Sequence, residues 1–288
     1  MNGWIIIDKP VGPGSTQVVS AVKRALRSGG YAKTKVGHGG TLDPLASGVL
    51  PVAIGEATKL AGRMLDSDKV YEFSIGFGVE TDTLDLEGRE VATSPVRPSP
   101  ADIAGVLPRF TGPIEQVPPA YSALKVDGKR AYDLARAGED VVLATRAVTI
   151  HDLAYADDIF TAHVSKGTYI RSLARDIALA LGTVGHVTML RRTKAGLFTL
   201  ESAISLDRLA ELGQGRALED TLLPLSAGLD DIPALALTPD QAGLLRQGRV
   251  LIGIGSPDGL YLTTDASVPV ALVEVTDGNV RVVRGFNL

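Results

Sequence analysis

Asp43 is the residue best placed for chemistry. In Gly37-His38-Gly39-Gly40-Thr41-Leu42-Asp43-Pro44 it shares a short loop with His38 and three glycines, so another chain could approach its carboxylate closely. Asp before Pro is also a common helix start, with Asp as N-cap and Pro in the first turn. The residue types leave both readings open. A nucleotide cradle is excluded, because no Gly-Lys-Ser/Thr ends the loop and no GxGxxG is present. A second segment, Ser165-Lys166-Gly167-Thr168-Tyr169-Ile170-Arg171, reads as a loop entering a helix capped by Thr168. Arg171 then lies in the first turn, where a cation opposes the helix dipole and calls for an acid or an anionic ligand. A pair with Asp43 would answer that need and keep the carboxylate ionised. A surface Arg without a partner is the alternative.

Other candidates read as structural. Tyr71 and Tyr169 default to packing. His151 and His163 look like ordinary strand residues, and four histidines with no cysteine argue against a metal centre. Asp82, Asp85 and Glu87 lack calcium-loop spacing and read as a solvated hairpin turn. No Gly-x-Ser-x-Gly elbow supports a serine hydrolase.

The elements that must position these residues follow from periodicity. Trp4 to Ile7 reads as a buried strand. After a turn-rich loop from Asp8, with a helix cap at its end near Ser15-Thr16, Val18, Val19, Val22 and Leu26 recur at helical spacing, and Gly29-Gly30 stops the helix. Tyr71, Phe73, Ile75 and Phe77 share one strand face. Ser99-Pro100-Ala101-Asp102 is a capped helix start. The three prolines between 113 and 120 predict an irregular stretch, opening a long excursion over about 113–146 with a short helix near 129–137. Residues 147–164 read as strand, and Ile170, Leu173, Ala174, Ile177, Ala178 and Leu181 as a helix closed by Gly182. Helices and strands do not alternate strictly, so the fold class is α+β with a mainly antiparallel sheet. The pattern divides the chain into 1–229 and a small, mainly β, C-terminal domain at 230–288. That domain carries one helix near 239–247 and strands at 260–264, 269–275 and 279–284.

Composition is that of a soluble globular chain. It has 288 residues, 45% hydrophobic and 22% charged, without an apolar run of membrane length. The start lacks signal-peptide character, and zero cysteine suits a reducing cytoplasm. Net charge is −4, yet residues 1–65 hold eight Lys/Arg against three Asp/Glu. That local excess suggests an anionic partner for one face, although basic residues solvating a surface helix would look the same.

Taken together, Gly37 to Leu50, Gly55-Glu56-Ala57-Thr58-Lys59, Lys69-Val70-Tyr71, Thr81-Asp82-Thr83, Tyr121-Ser122-Ala123-Leu124-Lys125, Ser165 to Arg171 and Leu190-Arg191-Arg192 resemble the bacterial tRNA pseudouridine synthase B family, in order and at compatible spacing. The resemblance implies a catalytic domain with a central antiparallel sheet and, more weakly, a C-terminal PUA-like module. It also implies isomerisation of uridine-55 in the tRNA T-loop without cofactor or metal, by a cytoplasmic protein needing no obligate protein partner and no more than a monomer. Asp43 would be the nucleophile, attacking ribose C1′ or uracil C6. Arg171 would orient it, and Tyr71 would stack on the base and assist removal of the C5 proton. Tyr169 and Leu190 would line the pocket, and His38 would fill the space left by the extruded base. Lys125, Lys129, Arg130 and Arg136, on an excursion acting as an RNA clamp, would grip phosphates. Two departures stand out. The family's Lys-Pro-x-Gly-x-Thr-Ser loop is lengthened here to Lys9-Pro10-Val11-Gly12-Pro13-Gly14-Ser15-Thr16, so no ligand contact is assigned to it. Gly39 replaces a frequent Thr, which should alter loop stiffness more than chemistry. A pure RNA-binding module and an enzyme acting on small nucleosides or sugars remain the rival readings.

Overall fold

The computed structural model describes residues 1–122, 124–126, 128–137 and 143–288. The chain opens with β1 (Gly3–Lys9), α1 (Ser15–Ser28), β2 (Val36–His38) and β3 (Ala46–Ile54). β1 pairs antiparallel with β3 from Gly3↔Ile54 to Lys9↔Gly48. Strand periodicity turns Ile5 and Ile7 towards Val18, Val22 and Leu26 of α1, and Trp4 and Ile6 towards a second core with Phe198. Both faces of β1 are therefore covered, which is why its isoleucines run without polar interruption. The cap of α1 is Gly14, held by Gln17 Oε1, and not Ser15 or Thr16. Ser15 turns instead towards the Asp43 loop.

Next come α2 (Ala61–Asp66), β4 (Lys69–Phe77), the small hairpin β5 (Val79–Thr81) and β6 (Glu90–Thr93), and α3 (Pro100–Val106) behind its Ser99 cap. Contrary to the expectation of an irregular stretch, Gly112–Gln116 forms strand β7, with Pro113 opposite Thr149. β7 ends the sheet, and an edge strand tolerates proline because one side of it has no partner. The excursion holds β8 (Lys125–Val126), β9 (Lys129–Arg130) and α4 (Ala131–Arg136). The side chains of Lys125, Lys129, Arg130 and Arg136 lie outside the described residues.

The strand-like stretch 147–164 is a hairpin, β10 (Arg146–Ala156) and β11 (Ile159–Val164). Asp157 and Asp158 turn it with φ of 51° and 62°, the left-handed pair of a two-residue type I′ connection. There follow α5 (Ile170–Ala180), β12 (Gly185–Ala195), β13 (Phe198–Thr199), β14 (Ala203–Ile204), α6 (Leu206–Gly215) and β15 (Leu223–Pro224). The described residues build an eleven-stranded sheet whose main path runs β14-β1-β3-β12-β4-β11-β10-β7. It is antiparallel except where β12 meets β3 and β14 meets β1. Ile170, Leu173, Ala174 and Ile177 of α5 pack with Phe73, Ile150 and Phe160 of the sheet.

A separate five-stranded sheet follows, from β16 (Ala234–Ala236), α7 (Pro239–Arg246), β17 (Leu251–Ile252), β18 (Gly259–Asp265), β19 (Val268–Thr276) and β20 (Asn279–Gly285). The helix and three longer strands lie where periodicity placed them, and β16 and β17 are additions. Leu262, Leu272 and Phe286 join the core around Trp4 and Phe198, so the C-terminal sheet packs directly on the large one. The fold is α+β, with a mainly antiparallel central sheet and a small β-rich C-terminal part.

Candidate active site

Asp43 does not cap a helix. Ala46 N donates to Asp43 O at 3.1 Å, closing a turn with Pro44 in the position that favours its fixed φ, and the chain enters β3. The loop before it is laced from several directions. Ser15 Oγ donates to Leu42 O at 3.1 Å and accepts from Leu42 N at 2.8 Å. Lys9 Nζ, fully buried, donates to the carbonyls of Pro10, Pro13 and Pro44, and Gly12 N donates to Pro44 O. The lengthened Lys9–Thr16 loop thus buttresses the Asp43 turn. Burial lowers the Lys9 ammonium to about 8 although Asp43 opposes the shift.

From beneath, Arg192 of β12, 1% exposed, donates to Val49 O (Nε, 2.8 Å), Thr41 O (Nη1, 3.2 Å) and Gly40 O (Nη2, 3.3 Å). Gly48 makes this possible. Its φ is +101°, and a Cβ there would stand 2.1 Å from Arg192 O, far inside contact distance. Gly39 is equally constrained, since a Cβ would meet Met64 Cβ at 2.6 Å. Met64 therefore leaves no room for a larger residue at this position without a shift of its own backbone-proximal atoms.

Arg171 sits in the first turn of α5, as expected, but the cap is Tyr169 without a side-chain bond. Thr168 Oγ1 donates to Ser165 O instead. The start of the helix is held by Gln116, 0% exposed, which accepts from Tyr169 N at 2.8 Å and donates to Tyr169 O at 3.2 Å. The Arg171 guanidinium reaches Asp43 Oδ2 at 2.8 Å through Nη2 and Asp85 Oδ2 at 3.4 Å through Nη1. It also donates to Thr83 O and Tyr121 O. Asp85, 5% exposed, accepts from Thr83 Oγ1 and Glu87 N. Contrary to the solvated-turn reading, the 81–88 turn delivers a buried acid that anchors the guanidinium. The Asp43 side chain stays 43% exposed.

Asp43, Arg171, Tyr71, Tyr169 and Leu190 line one cleft of about 290 Å³. Its size suits a small planar heterocycle, at the lower end of ordinary ligand pockets. Tyr71 of β4 and Leu190 of β12 come from neighbouring strands, and Lys69 closes the floor. Burial lowers Lys69 to about 8, while its Nζ donates to the carbonyls of Met64, Leu65 and Ser67. Burial also raises the Tyr169 phenol, and the Arg146 guanidinium lies 6.0 Å from that ring centre. His38, at the end of β2, is not in this cleft. It lines an adjoining groove of about 1000 Å³ that shares Asp43 and Arg171. Burial lowers its pKa, aided by Arg192, and its buried Nδ1 has no hydrogen-bond partner among the described residues.

Gln116 escaped the sequence reading, and Asp85 was read there only as part of a solvated turn. The only trace of its role was the unmatched charge of Arg171, which demanded an acid without saying how many. Nothing in the local pattern pointed to Gln116, a lone amide before two prolines.

Residues 27–170 match the TruB family pseudouridylate synthase N-terminal domain, and residues 171–230 the tRNA pseudouridylate synthase B C-terminal domain. The tRNA pseudouridine synthase B of Novosphingobium aromaticivorans is 66% identical over all of this chain and 98% of its own length. That of Zymomonas mobilis is 60% identical over all of this chain and 96% of its own. Among solved structures, a chain of a Cbf5-Nop10-Gar1 complex aligns with a TM-score of 0.71 at 26% identity, covering 95% of this chain and 78% of that one. Sequence and fold thus agree with the cleft: the chain belongs to the TruB family of pseudouridylate synthases.

Proposed function

We propose that this chain isomerises uridine-55 in the T-loop of tRNA to pseudouridine, with Asp43 as nucleophile. The observation that carries the reading is the Asp43–Arg171 pair at the lip of a base-sized cleft, with one carboxylate oxygen engaged at 2.8 Å and the side chain 43% exposed. Curated relatives named as acting on tRNA cover the whole chain.

The reaction breaks N1–C1′, turns the uracil, joins C5 to C1′, and exchanges the C5 proton for one on N1. Its redox state does not change and no water is consumed, so neither a metal nor a cofactor is required. Asp43 adds to C1′ or C6, as carboxylates do in other sugar chemistry. Arg171 fixes which oxygen is presented, and Asp85 fixes Arg171. Tyr71 stacks on the base and assists loss of the C5 proton, while Tyr169 and Leu190 confine the ring as it turns. A T-loop base must leave its stack to reach Asp43, at a cost of a few kcal/mol. His38, in the adjoining groove, is positioned to contact what remains. Lys125, Lys129, Arg130 and Arg136 belong to the clamp that grips phosphates. Residues 230–288 form a PUA-like module, and the enzyme works in the cytoplasm as a monomer without an obligate protein partner. No helix among the described residues is long and apolar enough to cross a membrane.

The test is incubation with unmodified tRNA transcript, mapping alkali-resistant carbodiimide adducts by primer extension. The expected product is pseudouridine at position 55 alone. Asp43→Asn should bind the transcript yet lose at least about 10⁴-fold in rate. Turnover by that variant would refute the nucleophile, and tight binding by the native chain without any product would leave a pure RNA-binding module.

A further inference from the structure

His151 and His163, on the two arms of the β10–β11 hairpin, meet Asp68 from before β4 on the outer surface of the large sheet. His151 Nε2 lies 3.2 Å and His163 Nε2 3.9 Å from Asp68 Oδ2. One ligand-capable atom from each residue falls within a common 4.8 Å. We propose that these three side chains bind a divalent transition-metal ion of the Zn²⁺ type.

The arrangement is built by the backbone and does not rely on chance side-chain drift. Register between β10 and β11 shifts between Ile150 and Asp152, so His151 is the extra residue of a β-bulge opposite His163. Bulges re-aim one side chain, and this one sets the two imidazole rings 4.7 Å apart. His163 is paired with Val70 of β4, which brings the start of β4 alongside. There the Asp68 carbonyl accepts from Gly196 N at 2.9 Å, which fixes the residue at its backbone. Among the described residues no Lys or Arg pairs with the Asp68 carboxylate, and the groups facing it are the two imidazole Nε2 atoms. An unneutralised carboxylate facing two imidazole nitrogens is a donor set for a borderline cation such as Zn²⁺, Co²⁺ or Ni²⁺, whereas Mg²⁺ and Ca²⁺ prefer oxygen alone. Ligands around tetrahedral zinc stand about 3.3 Å apart, given bonds of about 2.0–2.1 Å. The triad needs to contract by up to about 1.5 Å at its widest pair, and its partly exposed side chains have room to do so.

The site differs from the catalytic cleft but adjoins its wall. Lys69 and Val164 line the Asp43 cleft, whereas their neighbours Asp68 and His163 line the separate cleft of about 760 Å³ against the C-terminal sheet. A bound ion would clip the β10–β11 hairpin to the start of β4 from behind. With three protein ligands it keeps an open position for water, and the proposal does not depend on which RNA the enzyme modifies.

The experiment uses the full chain without an affinity tag, stripped by chelator, titrated with Co²⁺ alone by visible absorption and with Zn²⁺ by competition. One saturable equivalent is expected, with absorption bands of nitrogen–oxygen ligation and a raised melting temperature. His151→Ala and His163→Gln should each weaken binding by more than about 100-fold, beyond the effect of losing an outer hydrogen bond. Both are surface changes, so metal-free melting and pseudouridine formation should stay as in the parent. Absence of saturable binding by the parent, or parental affinity in either variant, overturns the proposal.

Discussion

The two sheets bury polar groups in opposite ways. In and against the large sheet, Lys9, Lys69, Arg192 and Arg171 of α5 are each at most 7% exposed, whereas Thr263 is the buried polar residue of the C-terminal sheet among the described residues. The four cations spend their donors mainly on backbone carbonyls of loops and of one helix end: Pro10 and Pro13, the last turn of α2 at Met64 and Leu65, Thr83 and Tyr121, Gly40 and Thr41. Strands satisfy one another's carbonyls, but loops folded against an active cleft cannot. A cation with several donors serves several such acceptors at once. Buried positive charge therefore traces where the large sheet holds irregular chain rigidly around Asp43. The C-terminal sheet, connected by tight turns at Ala266-Ser267 and Asp277-Gly278, needs none.

The sharpest way to break this contrast is to remove one device from each sheet. Arg192→Met strands the carbonyls of Val49, Thr41 and Gly40 and should cost about 3–5 kcal/mol in urea unfolding. Thr263→Val loses only the hydroxyl's bonds to Ala271 N and O and should cost about 1 kcal/mol. Equal losses would erase the distinction. Arg171→Lys keeps the charge but not the planar fork that spans Asp43 and Asp85. Single-turnover rates should fall about 100-fold, with the melting curve little changed. An unaltered rate would remove Arg171 from the chemistry.

Gln116→Ala leaves the backbone of Tyr169 without two bonds. It should destabilise by about 2 kcal/mol and lower kcat more than it raises KM. The smallest effect is in pH. Lys9 and Lys69 titrate near 8 when folded against about 10.5 unfolded, so between those values the unfolded chain holds more protons. Stability should therefore rise with pH from about 8 to 10.5, and chemical denaturation of Lys69→Met should show a flatter rise.

How legible the site was depended on where its physics is written. A cation in the first turn of a helix is locally unfavourable, so Arg171 announced its need for Asp43 across 128 positions of sequence. Asp85 sits in a turn whose acids look alike, and only the fold decides which one is buried. Gln116 bonds to backbone, and backbone carries no residue-type signal. The helices and long strands were readable from apolar spacing. The strand at Gly112–Gln116 was hidden by Pro113, whose effect depends on having a neighbour on one side only. His151 and His163 read as strand residues because a bulge, a one-residue slip in pairing, leaves no mark on alternation.

Pro113 also bears on the company this protein keeps. An open sheet of this breadth offers two rims, either of which could recruit a foreign strand and seed fibres. One rim ends in the two-residue strand Ala203–Ile204 and the other in Gly112–Gln116, five residues long, with a proline that has no N–H to offer. The sheet is thus blunted at both ends, which favours staying dispersed in a crowded solution.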